Sequence, residues 1–304
     1  MKPSIRQLAG AAAITFGLSI SSSSQASWNG FGLGGSATGG IAAVSRVPGS
    51  LEVWHVGADG SVQDRYWYEG GSWGGFQLAP PGSASSTGSI TAVSRIPGSL
   101  EAFWIGANGS VQGAYWYEGG NWVTYQLAPP GSASTTGSIT AVSRVPGSIE
   151  VWWIGATGSV QGVYWYEGGD WESYQLDPPG SASVTGSITA VSRVPSSMEL
   201  WFIGANGSVQ DRFWYEGGSW SGFELAAAGS ASRTAPLAAL SRQTNTMELW
   251  FAASDGSLSD QYWYEDQVYD CAFCNDGTCQ CGYDGDLCGA HDGEDPELGC
   301  VQQQ

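Results

Sequence analysis

The sequence predicts an all-β fold: a five-bladed β-propeller of 49-residue, four-stranded repeats closed by the N-terminal strand, plus a small Cys-rich C-terminal tail. Three observations carry this. Arginine recurs at 46, 95, 144, 193 and 242, glutamate at 52, 101, 150, 199 and 248, and a Trp-Tyr-Glu triplet at 67–69, 116–118, 165–167, 214–216 and 263–265. A fixed period near 50 residues marks a propeller, solenoid or array. Within each repeat, short apolar and aromatic runs alternate with glycine turns, the pattern of strands joined by hairpins. Finally, the two ends of the chain complement one another. Ser27-Trp28-Asn29-Gly30-Phe31-Gly32-Leu33 matches Ser72–Leu78 and Ser219–Leu225, whereas the fifth copy stops after Tyr262-Trp263-Tyr264-Glu265. An N-terminal strand that completes the last blade leaves no open sheet edge.

The third repeat shows the four strands. The first is Ile139–Arg144, and a Pro-Gly-Ser turn leads into the second, Ile149–Gly155. The next link reads Asp59-Gly60, Asn108-Gly109, Thr157-Gly158, Asn206-Gly207 and Asp255-Gly256 in the five copies. Asp-Gly and Asn-Gly suit a hairpin because a type I′ turn needs positive φ at both central residues. The third strand, Ser159–Glu167, is aromatic, and Gly168-Gly169 turns it into the fourth, Trp171–Leu176. Stacked sheet faces would bury both sides of such strands, which accounts for 16 tryptophans.

Composition agrees. Only 12% of the 304 residues are charged, and 46 are glycine. Few charges with many aromatics exclude a disordered chain. The formal charge of −18, with Lys2 the sole lysine, excludes nucleic acid as a partner, since phosphate contacts need Lys and Arg. The same shortage argues against anionic membrane surfaces.

Residues 1–26 read as a signal peptide: Lys2 and Arg6 form a basic start, Leu8–Ile20 is mostly apolar, and Ser24-Gln25-Ala26 offers small residues for cleavage. A spanning helix needs roughly 20 apolar residues, so membrane insertion is not expected and the chain is expected to be secreted. Domains follow as signal peptide 1–26, propeller 27–265 and acidic tail 266–304. All six cysteines (Cys271, Cys274, Cys279, Cys281, Cys288 and Cys300) lie in that tail. In an exported chain an even count reads as disulfides whose pairing the spacing leaves open. Zinc is the rival reading, with His291 the only nearby imidazole. Asp284-Gly285-Asp286 and Asp292-Gly293-Glu294-Asp295 lack the ordered carboxylate ladder of a calcium loop. No metal and no cofactor are expected.

The turns between strands one and two and between strands three and four fall at the same end of each blade. That end collects Arg46, Glu52 and Trp73; Arg95, Glu101 and Trp122; Arg144, Glu150 and Trp171; Arg193, Glu199 and Trp220; and Arg242 and Glu248, with Trp28 from the N-terminus. An indole beside a guanidinium and a carboxylate suits a sugar, whose C–H face stacks while its hydroxyls are hydrogen-bonded. The other reading is a cross-strand ion pair with a packing tryptophan. No catalytic residue is assigned. A glycosidase needs two carboxylates at one site, and here every candidate acid recurs once per blade. His55, the only histidine in the body, stands where other repeats carry Trp or Phe, which reads as packing. Asn108-Gly109-Ser110 and Asn206-Gly207-Ser208 also match N-glycosylation acceptors.

The motif Ser-Arg-x-Pro-x-Ser-x-Glu, two aromatics and Ile-Gly-x-x-Gly-Ser-Val, followed by Tyr-Trp-Tyr-Glu-Gly, resembles the fucose-binding β-propeller lectins of the Photorhabdus lectin type. The resemblance covers about 41–265 and the N-terminal strand, and leaves out the tail. It implies sugar sites repeated around a ring, taking L-fucose or O-methylated sugars. That family is seven-bladed and this chain has five copies, so a site built by two blades is open to change. The fifth copy departs further, with Ala252-Ala253 for Ile-Gly and Gln243-Thr244-Asn245-Thr246 across the turn. A more distant likeness is to the six-bladed fungal fucose lectins. The expected function is a secreted multivalent lectin for fucosylated or O-methylated glycans, a homo-oligomer being allowed. The alternative is a propeller scaffold for a protein partner; a glycoside hydrolase ranks below both.

Overall fold

A computed structural model describes residues 30–234 and 236–264, together with three short tail strands. The expected signal peptide, Trp28, the cysteine pairing and the acidic turns at 284–286 and 292–295 lie outside the described residues. The chain divides into two units, 1–34 and 35–304. Of the expected N-terminal strand only 30–33 are described, and they carry no strand.

The second unit is a succession of antiparallel meanders. The first blade is β1 (Ile41–Val44), β2 (Ser50–Val56), β3 (Val62–Tyr68) and β4 (Gly74–Ala79). The second is β5 (Ile90–Val93), β6 (Ser99–Ile105), β7 (Val111–Tyr117) and β8 (Val123–Ala128). The third is β9 (Ile139–Val142), β10 (Ser148–Ile154), β11 (Val160–Tyr166) and β12 (Glu172–Asp177). The fourth is β13 (Ile188–Val191), β14 (Ser197–Ile203), β15 (Val209–Tyr215) and β16 (Ser221–Ala226). The fifth has three strands among the described residues, β17 (Leu237–Leu240), β18 (Thr246–Ala252) and β19 (Leu258–Tyr264). A separate three-stranded sheet in the tail comprises β20 (Cys274–Asn275), β21 (Thr278–Gln280) and β22 (Leu287–Cys288). No helix among the described residues is long and apolar enough to cross a membrane.

Alternation on the second strands explains the packing. Every residue of β6, β10 and β14 is buried, because each face meets a neighbouring blade. One apolar cluster spans each junction. Between the third and fourth blades Trp152, Ile154 and Val160 meet Ile188, Met198 and Leu200. At the far end from the arginines, the connectors tie successive blades together: Ser85 Oγ donates to the Thr135 carbonyl at 2.6 Å and Ser134 Oγ to that of Val184 at 2.5 Å.

Gly147 shows what the Pro-Gly-Ser turn gains from glycine, where the fourth copy carries Ser196 without a positive φ. The φ of Gly147 is 81°, and an added Cβ would meet Glu167 Oε2 at 3.0 Å. The fifth blade places Asn245 in the same conformation, at φ 62°, the only positive-φ non-glycine among the described residues. Asn245→Ala is expected to lower stability by about 1 kcal/mol, because a Cβ without a local hydrogen bond disfavours this conformation. Urea unfolding checks it, with Asn245→Gly, which relieves the φ but still loses the hydrogen bond that Arg193 Nη1 donates to Asn245 Oδ1 at 2.6 Å, expected to lower the midpoint less.

The inner strands pack in succession, β1 on β5, β5 on β9, β9 on β13 and β13 on β17. Among the described residues β17 makes no comparable packing with β1, so the expected closed five-bladed ring is not met there. Two blade faces lie open instead. On the first blade, Ile41 is 65% and Leu51 44% exposed, whereas the equivalent Ile139 and Ile149 are 3% and 2%. On the fifth, Leu258 is 77% exposed where Val160 is 0%. The junctions are built from nearly the same side chains, so each turns the chain by a similar amount, and four such turns leave the ends apart.

Candidate functional site

The arginines sit where one blade meets the next. Arg46, Arg144 and Arg193 donate to the hydroxyls of Tyr68, Tyr166 and Tyr215 at 2.8–2.9 Å, and Arg95 donates to Tyr117. These tyrosines end the third strand of the same blade. Each guanidinium also lies over the Trp-Tyr-Glu tryptophan of the following blade: Arg46 over Trp116 at 5.0 Å, Arg95 over Trp165 at 4.7 Å, Arg144 over Trp214 at 4.9 Å and Arg193 over Trp263 at 4.4 Å. The triplet's glutamate completes the set, Glu118 at 3.8 Å from Arg46, Glu167 at 3.4 Å from Arg95 and Glu216 at 3.9 Å from Arg144. These three carboxylates are largely exposed, so each junction presents an acidic, aromatic rim to solvent.

Beneath this rim lies the first glutamate. Glu52, Glu101, Glu150 and Glu199 are all buried. Arg95 Nε donates to Glu101 Oε1 at 2.9 Å, and Arg242 Nε donates to Glu248 at 3.2 Å. At the first and third junctions the pair is looser: Arg46 Nε and Arg144 Nε are buried with no hydrogen-bond partner among the described residues. Burial pushes Glu101 and Glu150 up to about 7, with the neighbouring arginine opposing it. Glu199 rises to about 8 through burial and the charge of Asp211. Glu248, on the open fifth face, is instead held low by hydrogen bonds from Tyr264 and Arg242. The same residue type thus changes character according to whether a following blade covers it.

The structure brings the predicted Arg and Glu together at one end of the blades. It places the strand-four tryptophans beside the strand-three ones, Trp122 stacked on Trp116 and Trp171 tilted against Trp165, both pairs at 6.4 Å. Trp122 packs edge-on against Trp54 of the preceding blade at 5.0 Å and beside Phe76, Trp171 meets Phe103 at 6.0 Å, and Trp220 meets Trp152 at 5.9 Å. Trp73 is half-buried, and Trp28 lies outside the described residues. The rings beside the guanidiniums are the strand-three Trp116, Trp165, Trp214 and Trp263, which sequence reading did not select. Strand alternation offered the signal, since Trp165 and Tyr166 must face opposite neighbours. Which neighbour each faces depends on how blades stack, and that is not written in the period. His55 is 6% exposed, and burial together with Arg65 lowers its pKa.

The blades also fall into two kinds. In the second and third, Gly113 and Gly162 lie under Tyr125 and Tyr174; an added Cβ would come within 2.6 and 2.5 Å of those rings. The first and fourth carry buried Asp64 and Asp211 instead, each beside the buried glutamate. At the junction of the fourth and fifth blades, Glu199, Trp201, Asp211, Phe223, Tyr262 and Trp263 line a cavity of about 280 Å³. Trp201 and Phe223 are the equivalents of Trp54 and Phe76, so the cavity corresponds to the space that Trp122 fills between the first two blades.

No protein-family model matches the chain, and no curated protein matches it in sequence. Solved structures do. The BP39L lectin from Burkholderia pseudomallei superposes with a TM-score of 0.69 at 18% identity, covering 76% of this chain and 68% of that one. This chain has the fold of the β-propeller lectins. The SapL1 lectin, solved in complex with alpha methyl fucoside, gives a TM-score of 0.58 at 21% identity and covers 75% of this chain and 78% of its own. A lectin from Aleuria aurantia, described as six-bladed with a novel fucose recognition mode, gives 0.56 at 18% identity, covering 75% of each chain.

Proposed function

We propose that this protein is a secreted, non-enzymatic, multivalent lectin for L-fucose or O-methylated sugars. The observation that carries the reading is the constellation of Arg, Tyr and buried Glu from one blade with Trp from the next. It repeats at four successive junctions, with Glu118, Glu167 or Glu216 on the rim of the first three. Guanidinium, hydroxyl and carboxylate groups supply directional partners for sugar hydroxyls, and the indole supplies an apolar surface. The strand-four tryptophans then serve as packing that holds the indole above them. The SapL1 complex with alpha methyl fucoside and the fucose recognition of the Aleuria aurantia lectin support the choice of sugar. Export is supported by the composition of residues 1–26. The sequence match of 27–33 to a fourth strand supports an N-terminal strand in the blade position that precedes the first blade.

Repetition suits binding rather than chemistry. Weak single sites on one rigid body gain about 10²–10⁴ in avidity when they engage together. A glycan array on the chain from residue 27 onward tests the reading: retention on fucosylated glycans, displaced by free fucose or O-methyl fucose, is the expected result. A blank array from folded protein overturns it and favours a scaffold for a protein partner. Release of reducing sugar would place the protein among the hydrolases.

A further inference from the structure

The two open blade faces call for a cover. Leu240, Leu258 and Tyr262 are 52–77% exposed on the fifth blade, and Ile41 and Leu51 are 65% and 44% exposed on the first. Soluble proteins rarely leave contiguous apolar faces of this kind bare. Both faces are of the type buried at every internal junction, and the fold shared with the six-bladed Aleuria aurantia lectin has room for one more blade than the five described.

We propose that residues 266–304 fill the sixth position, as a module packed on the fifth blade and against the first. Three features of the chain point to this segment. It leaves β19 at Tyr264, directly on the open fifth face. Its length, 39 residues against the 49 of a repeat, is close to what one blade requires. It also has an antiparallel sheet of its own, β20–β22. Charge fits as well. From Glu265 onward there are ten acids and no Lys or Arg. The open fifth face carries Arg242, whose side chain is 48% exposed. Glu248 and Asp260 share the fifth face, so apolar contact rather than charge must supply most of the attachment.

Hydrogen–deuterium exchange on the full chain tests this, with Leu258→Glu and Leu51→Glu as variants of residues already exposed in the fold. In the unaltered protein the amides of 266–304 should exchange at least about tenfold more slowly than an unstructured chain. Leu258→Glu should raise their exchange about tenfold while the second to fourth blades keep theirs. The proposal is overturned if the segment exchanges at the unstructured rate, or if neither variant changes its protection. Sedimentation on the same samples covers the remaining case. A dimer that Leu258→Glu splits would assign the face to a second copy of the chain and not to the tail. Sugar binding, measured separately, can stand or fall without affecting this result.

Discussion

Arg95→Ala should destabilise the protein by about 3–5 kcal/mol, the usual consequence of removing one partner from a buried ion pair. Its side chain is 1% exposed and that of Glu101 3%. The guanidinium holds Glu101 at 2.9 Å, bonds Tyr117, reaches Glu167 across the junction and covers Trp165. Without it Glu101 keeps its burial and loses the opposing charge, so its carboxyl stays protonated to higher pH. The loss should therefore be larger at pH 8 than at pH 5. Sugar stoichiometry should fall by one site. Trp165→Ala separates the two roles of this arginine. Its cation–π contact is worth about 0.5–2 kcal/mol, so most of the stability should survive while the same site is lost. Thermal unfolding and calorimetric titration with fucose read both quantities. If either variant unfolds the protein partially and leaves the sugar count unchanged, the constellation is a staple between blades and not a binding site.

That ambiguity was already visible in the sequence, and its source is physical. The period of 49 and the Gly turns specify the blades, because each strand and hairpin depends on residues close in the chain. Ile139–Val142 and Ser148–Ile154 accordingly lie within a residue or two of where the sequence puts them. The meeting of Arg144 with Glu150 was legible for the same reason, as both flank one turn. The partner tryptophan was not. Arg144 meets Trp214, seventy residues on, only after two blades stack, and no local pattern distinguishes Trp214 from Trp220. The open end faces were equally hidden. Equivalence of the repeats suggests closure, whereas closure depends on the sum of small angles at every junction.

Stability should fall as pH rises from about 4 to about 8, and Asp64→Asn should remove part of that fall. Asp64 is fully buried, and burial and the charge of Glu52 push it up to about 8, with Arg65 opposing. Glu52 is itself raised by burial, against Arg46. An unfolded chain releases these protons near pH 4, whereas the folded blade keeps Asp64 protonated up to about 8. Between those values the native state binds more protons, so unfolding becomes easier with each unit of pH, and the effect levels off above 8. This is the reverse of a salt-bridged carboxylate, whose contribution grows with pH. Asn at 64 has no proton to lose, so it lacks this pH dependence. Asp64→Asn should thus gain about 1–3 kcal/mol at pH 8, the scale of an unsatisfied buried polar group, and nothing at pH 4. Asp211→Asn should gain less, because Asp211 already accepts from Trp201 Nε1 at 2.6 Å and rises only to about 6. Unfolding midpoints across pH 4–8 measure both. Parallel curves for Asp64→Asn and the unaltered protein would show that the Glu52–Asp64 pair is not what sets the pH dependence.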